Sequence, residues 1–170
     1  TDCEVSISPN ACVIVDNKPV FMGISDILRY STDHTKALLG KELQIKLDEL
    51  NEAWHAASLE RIFIENKLYQ LIEGCRTREA AYEAVDKGLE PFKKKLRREV
   101  TLEDVQRLTE LKFIRISRYD SDKADNEIKQ IEADIKQTKH DLEHRTYYAI
   151  AFFERIKSKF SESEKARTEI

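Results

Sequence analysis

Residues 92–170 contain neither glycine nor proline. A stretch of that length cannot supply the hairpin turns of a sandwich or barrel, nor the tight connections of a doubly wound sheet. It can form long helices. The whole chain holds only four glycines and three prolines in 170 residues: Pro9, Pro19 and Gly23 near the start, Gly40 alone, and Gly74, Gly88 and Pro91 mid-chain. Hydrophobic residues make up 41%, enough for a core, so the 36% of charged residues reads as solvated helix surface rather than disorder.

Two segments carry a long apolar seam. In the first, Leu43, Leu47, Leu50, Trp54, Ala57, Arg61, Ile64, Leu68 and Leu71 follow one another in alternating steps of four and three, and eight of the nine are apolar. In the second the seam is Ile128, Ile131, Ile135, Thr138, Leu142, Arg145, Ala149, Phe152 and Ile156. That spacing keeps one stripe of a helix against one partner over many turns, as in a coiled coil. The two segments are joined by about 50 residues of shorter helical pieces, so an antiparallel hairpin is expected. Forty residues of helix span about 60 Å. Each long helix has one seam and one partner, and the short helices form a knob at the far end.

The boundaries follow from local signals. Residues 1–23 read as two or three short strands: Val5 and Ile7 alternate with polar neighbours, Ala11–Val15 is an apolar run, Asp16-Asn17-Lys18-Pro19 is turn chemistry, and Val20–Met22 follows. Such strands are not stable alone and would complete a larger sheet. Ser25 is the expected cap of the outgoing helix, residues 24–73, which Gly74 closes. Residues 74–120 form the helical knob. There Thr77 caps one helix ending near Gly88, Pro91 opens a basic turn, and Thr101 with Asp104 makes a capping box for a helix running to about Arg118. The returning helix takes residues 121–160, and residues 161–170 are a polar tail. The fold class is mainly α: a long antiparallel two-helix coiled-coil arm with a small helical tip domain, plus short β-strands at the N-terminal base.

Composition excludes several function classes. A net charge of −3 and a pI near 5.9 do not suit a dedicated nucleic-acid-binding domain. The longest apolar run, Tyr147–Phe153, is far short of the roughly 20 residues of a membrane span. Three cysteines, Cys3, Cys12 and Cys75, lack zinc-site spacing and read as reduced thiols of a cytoplasmic protein. The first residue is Thr rather than Met, which fits a piece of a longer protein. His140-Asp-Leu-Glu-His144 matches the inverted zinc-peptidase pattern, with Glu143 as a possible base, but lacks a third protein ligand and reads as solvated surface. Lys93–Arg98 reads as a charged loop flank, and His34, His55 and Trp54 as packing or polar helix residues. No nucleophile stands beside a base, and no glycine-rich loop awaits a phosphate. The expected sites are therefore none catalytic, none for a cofactor and none for a metal.

The order of elements resembles the A subunits of bacterial type IIA DNA topoisomerases, gyrase and topoisomerase IV. Thr1-Asp-Cys-Glu-Val-Ser6, Asp16-Asn-Lys-Pro-Val-Phe-Met22, Ile27-Leu28 and His34 are similar to the family's T-x-L-x-x-S strand, G-x-P-x-x-M turn and D-I-L/I helix start. His55–Asn66 resembles its H-I-L-E-G-L-x-I-A-x-x-N-I-D stretch. Thr101–Lys112 resembles L-T-E-x-Q-A-x-A-I-L-x-L-R-L, and Arg167-Thr-Glu-Ile170 the R-R-T-E-I that closes the breakage–reunion core. Thr35 stands where the family has Arg, and Ser8-Pro9-Asn10 replaces an aromatic-Gly-Ile-Asn turn.

The resemblance implies the end of the tower strands, the two-helix arm and the tip that forms the exit gate, or C-gate, through which a passed DNA segment leaves. It implies a homodimer through the tip, a B subunit carrying the ATPase and the metal site, transient contact with duplex DNA, and a nucleoid-associated, cytoplasmic setting. The catalytic tyrosine of the parent enzyme would lie upstream, with ATP and Mg bound through the partner subunit. The tip contact is expected at Leu108, Leu111, Phe113 and Ile116, which spread around more than one helix face, with Lys112 and Arg115 lining its rim and Tyr119 at the joint. Two other readings are an RNA-binding arm, which would need a basic stripe although residues 120–145 hold eight acids and five bases, and a scaffold hairpin.

Overall fold

The computed structural model describes residues 10–160, apart from the side chain of Phe113. The strand expected at Val5 and Ile7, the polar tail and the Arg167–Ile170 motif lie outside the described residues. Two strands, β1 (Cys12–Val15) and β2 (Lys18–Phe21), precede seven α-helices: α1 (Ile24–Glu65), α2 (Gln70–Glu73), α3 (Arg78–Leu89), α4 (Leu102–Thr109), α5 (Phe113–Ser117), α6 (Ser121–Glu143) and α7 (Arg145–Phe160). A 3₁₀ turn at Glu90–Lys95 follows α3. The fold is mainly α with two short antiparallel strands. The chain divides into two compact units: one takes in residues up to Leu43 and from Asp141 onward, the other Gln44–His140.

In the first unit β1 and β2 form an antiparallel hairpin in which Val15 pairs with Lys18 and Ile14 with Pro19. Asp16 and Asn17 both have positive φ, 49° and 62°. A two-residue turn of type I′, whose twist matches that of the strands, needs that at both positions, and Asp and Asn tolerate it best after glycine. Helix α1 begins one residue before the expected cap. The Gly23 carbonyl accepts from the N–H groups of Asp26 and Ile27, so Ser25 sits inside the first turn. This unit buries Leu39, Leu43 and Ala149. Arg145 lies across Gly40, where an added Cβ would meet its Cδ at 3.2 Å. The returning helix is interrupted: α6 ends at Glu143, His144 is a turn, and α7 starts at Arg145. No glycine, proline or capping residue marks that break.

In the second unit α1 and α6 pair antiparallel. Trp54, Ile128 and Ile135 are buried together, with Leu47, Leu50, Ala57 and Ile131 packed against them. The indole of Trp54 donates to Glu132 at 3.0 Å, and Arg61 pairs with Asp125. The position numbers of both pairs sum to 186, so the register is constant. A second cluster holds Leu59, Phe63, Ile64 and Leu68 with Val85, Leu89, Val105 and Leu108, and so packs α3 and α4 onto the end of α1.

Helix α1 stops at Glu65 rather than near Ile72, and the stop has its own hydrogen bonds. The Leu68 N–H donates to the Phe63 carbonyl and the Lys67 N–H to the Ile64 carbonyl, with Lys67 at φ 54°. This is a Schellman ending, in which a residue in the left-handed region is followed by an apolar contact back onto the helix, here Leu68 with Phe63. Beyond it, α3 approaches so closely that a Cβ on Gly88 would lie 2.9 Å from Leu71 Cδ1 and 3.1 Å from Leu68 Cδ2.

Candidate interface on the short helices

The caps that set up this region formed as expected. Thr77 Oγ1 accepts from the Ala80 N–H at the start of α3. At α4 the Thr101 hydroxyl accepts from the Asp104 N–H while Asp104 accepts from the Thr101 N–H at 3.0 Å. The helix expected to run to Arg118 is broken in two. Helix α4 ends at Thr109, Lys112 is extended at φ −67° and ψ 137°, and α5 restarts at Phe113. The break lets Leu111, Ile116 and Tyr119 all turn towards the core built on α1.

The expected contact residues therefore divide. Leu108 is 5% exposed and belongs to the core, because it faces α1 one turn after buried Val105. Leu111, Ile116 and Tyr119 are half-buried against the same core, leaving only their edges outside. Lys112 is exposed. The side chain of Phe113 lies outside the described residues, although its backbone opens α5. Arg115 reaches back to α1, where its guanidinium holds both carboxylate oxygens of Glu60. The sequence-based assignment gave no place to Leu102, 62% exposed, and treated Ile114, 65% exposed, only as an alternative to Phe113 on the helix face. Leu102 stands three residues before buried Val105, a spacing that would put both on one face, so the sequence carried no signal of its exposure.

Ionic contacts fix this region to α1. The Arg98 guanidinium bridges Glu52, at 2.9 and 2.7 Å, and Asp104, at 2.6 and 3.0 Å. These bonds hold the Glu52 carboxyl below its ordinary range. Burial pulls Asp104 upward, but hydrogen bonds from Arg98 and Thr101 outweigh it and hold this carboxyl well below the usual values. Ser121 Oγ donates to Glu65 at 2.7 Å, beside the Tyr119 hydroxyl. Burial and the Glu65 charge push Tyr119 up to about 12. Between α1, residues 115–120 and the start of α6 lies an open groove of about 370 Å³, floored by Ala53, Ala56, Ala57 and Ala124 and edged by Arg118 and Lys123.

The basic run after α3 is largely engaged. Lys93 pairs with Asp86 at 2.9 Å, and Arg97 stacks 4.2 Å above the Trp54 ring and donates to Asn51. The two histidines of the zinc-like pattern are not on one helix, because His144 lies in the turn beyond α6. Among the described residues no three His, Cys, Asp or Glu side chains are grouped as a metal would need. No helix of the described residues is long and apolar enough to cross a membrane. What this surface offers is exposed apolar and basic side chains on a body clamped to α1, which is the chemistry of a protein contact.

A mainly helical chain with a short N-terminal hairpin and helices α2–α5 clamped to a long helix defines a structural class. Its membership is given by sequence. Residues 1–155 match the model of the DNA gyrase/topoisomerase IV A-subunit family, and the chain belongs to that family. It is 29% identical over all 170 residues to the DNA topoisomerase 4 A subunit of Borreliella burgdorferi, and 25% identical over 146 residues, 85% of the chain, to that of Staphylococcus aureus. The chain spans 27% and 17% of the lengths of these relatives.

Proposed function

We propose that this chain is the exit-gate portion of a type II DNA topoisomerase A subunit: α1 with the returning helices is the lever arm, and residues 74–120 carry a self-association surface. What supports this most is the exposure of Ile114 and Leu102 on a body that Arg98 and Arg115 lock to α1. A gate must hold and release a partner copy without itself deforming, and rigid backing with a small apolar contact suits that task. Leu111, Lys112, Ile116 and Tyr119 border the contact, while Leu108 supports it from within. Phe113 and Arg115 complete the expected set, Arg115 by its grip on Glu60. In the parent enzyme the chemistry of cleavage, ATP and Mg belongs to other parts and to a B subunit, and a DNA segment that has passed through the cleaved duplex leaves through this gate, in the cytoplasm. Taken alone, the chain is expected neither to cleave nor to relax supercoiled DNA, since this reading gives it a mechanical part and leaves the chemistry to the rest of the enzyme.

Sedimentation of the 170-residue chain over a dilution series tests this reading. A dimer that dissociates on dilution is expected, with Ile114→Asp and Leu102→Asp shifting it to a helical monomer by placing a charge in the contact. A monomer at every concentration overturns the gate reading. A dimer indifferent to both substitutions moves the contact elsewhere and favours a scaffold hairpin.

A further inference from the structure

His55 lies on α1 with 1% of its surface exposed, and neither ring nitrogen has a hydrogen-bond partner. Its Nε2 is 3.5 Å from Asp104 Oδ2, beyond good hydrogen-bonding distance. Three charged groups face it: Asp104 from the cap of α4, Arg98 from the loop before that cap, and Glu52 from the preceding turn of α1. The Asp104 oxygen nearest the ring has no capacity to spare. This oxygen, Oδ2, already accepts from Arg98 Nη1 at 2.6 Å, the Thr101 N–H at 3.0 Å and the Thr101 hydroxyl at 2.9 Å, and Oδ1 accepts from Arg98 Nη2 at 3.0 Å. A neutral ring fits this site. An imidazolium would set a second cation beside the guanidinium, away from water, and would have to take Asp104 from its present donors.

We infer that His55 is an acid-sensitive clasp between α1 and the cap of α4, so that a proton taken up by its ring releases residues 96–104 and α4 from α1. Burial first, and then the Arg98 charge, hold the His55 pKa below its ordinary value. The sign follows. The folded ring binds a proton less readily than the unfolded one, which titrates near about 6.5. The closed clasp is therefore fully stable above that pH and loses stability as pH falls below it, by at most about tenfold in the closing equilibrium per pH unit. The inference needs only the α1–α4 seam and stands independently of self-association.

Hydrogen exchange on the 170-residue chain at pH 7.5, 6.5 and 5.5, corrected for the intrinsic pH dependence of exchange, tests it. Protection of the α4 amides is expected to fall up to about tenfold per unit below about pH 6.5, while the α6 amides around Ile128–Thr138 keep theirs. His55→Gln carries no titrating ring and should make the α4 profile flat. Unchanged α4 protection in the unmodified chain overturns the inference, and so does an equal loss in α4 and α6, which would mark global unfolding instead. Should the variant fail to fold, the ring itself reports: a His55 midpoint at or above 6.5 by proton NMR also overturns it.

Discussion

Trp54 donates its indole N–H to Glu132 across the α1–α6 pair while the Arg97 guanidinium lies 4.2 Å above its ring. One side chain thus joins three segments: α1, α6 and the basic loop. Trp54→Phe keeps most of the apolar contact but removes the donor, and should cost about 1 kcal/mol. Trp54→Ala opens a cavity beside Ile128 and Ile135 and should cost about 3–5 kcal/mol. Urea denaturation of the two variants checks the difference; equal losses would mean that the ring contributes little packing.

Lys67 occupies the left-handed region at the Schellman stop of α1. A side chain there costs about 1–2 kcal/mol, part of which glycine returns as unfolded-chain entropy. Lys67→Gly should therefore stabilise by roughly 0.5–1 kcal/mol. Lys67→Val, β-branched at the same φ, should destabilise. Thermal melts of both will show whether the sign reverses between them.

Two helical glycines should respond in opposite ways. At Gly40 the obstacle is the Arg145 side chain, which can swing aside, so Gly40→Ala should gain up to about 1 kcal/mol of helix propensity. At Gly88 the obstacles are Leu71 and buried Leu68. Gly88→Val should cost about 1–3 kcal/mol through overpacking, as measured by the shift in denaturation midpoint.

The α4 cap should fail in stages. Thr101→Ala removes one capping acceptor and should cost about 1 kcal/mol. Asp104→Ala also strips a buried carboxylate from Arg98 and should cost on the order of 3 kcal/mol. The Asp104 pKa is depressed in the fold, so its contribution is fully present above the unfolded carboxylate range, near about 4, and is lost as pH falls further. Denaturation from pH 5 to pH 2.5 should show that slope in the unmodified chain and a smaller one in Asp104→Ala.

Periodicity and caps were the legible part of the fold. Leu43 and Trp54 on one seam and Ile128, Ile135, Thr138 and Ala149 on the other are buried, as a stripe repeating in threes and fours requires; Ile64 and Leu68 are buried instead against α3 and α4, and Leu71 and Ile156 are exposed. Thr77, and Thr101 with Asp104, signal through bonds within one turn. The helix stops at Lys67, Lys112 and His144 left no such trace. None is a glycine or proline, and the first two are imposed by residues that must reach the core: Leu68 in one case, Leu111 and Ile116 in the other. The Arg98 clamp and the burial of His55 were likewise hidden, since Glu52 and Asp104 are brought together only by the fold. The expected contact set came from the apolar pattern, which marks a segment and not a face. It could not tell that Leu108 points inward, because on a short amphipathic helix both faces can hold leucine.

The constant register of the α1–α6 pair also bears on the order in which the chain acquires structure. The cluster from Leu59 to Leu108 closes within a contiguous stretch of fewer than 60 residues, whereas Trp54 and Glu132 meet across 78. Longer loops cost more entropy to close, and helices with strong local caps form early. Nucleation should therefore begin among α3, α4 and the end of α1, and the long helices should zip away from that point. Val85→Ala should then slow refolding, while Ile135→Val should chiefly speed unfolding.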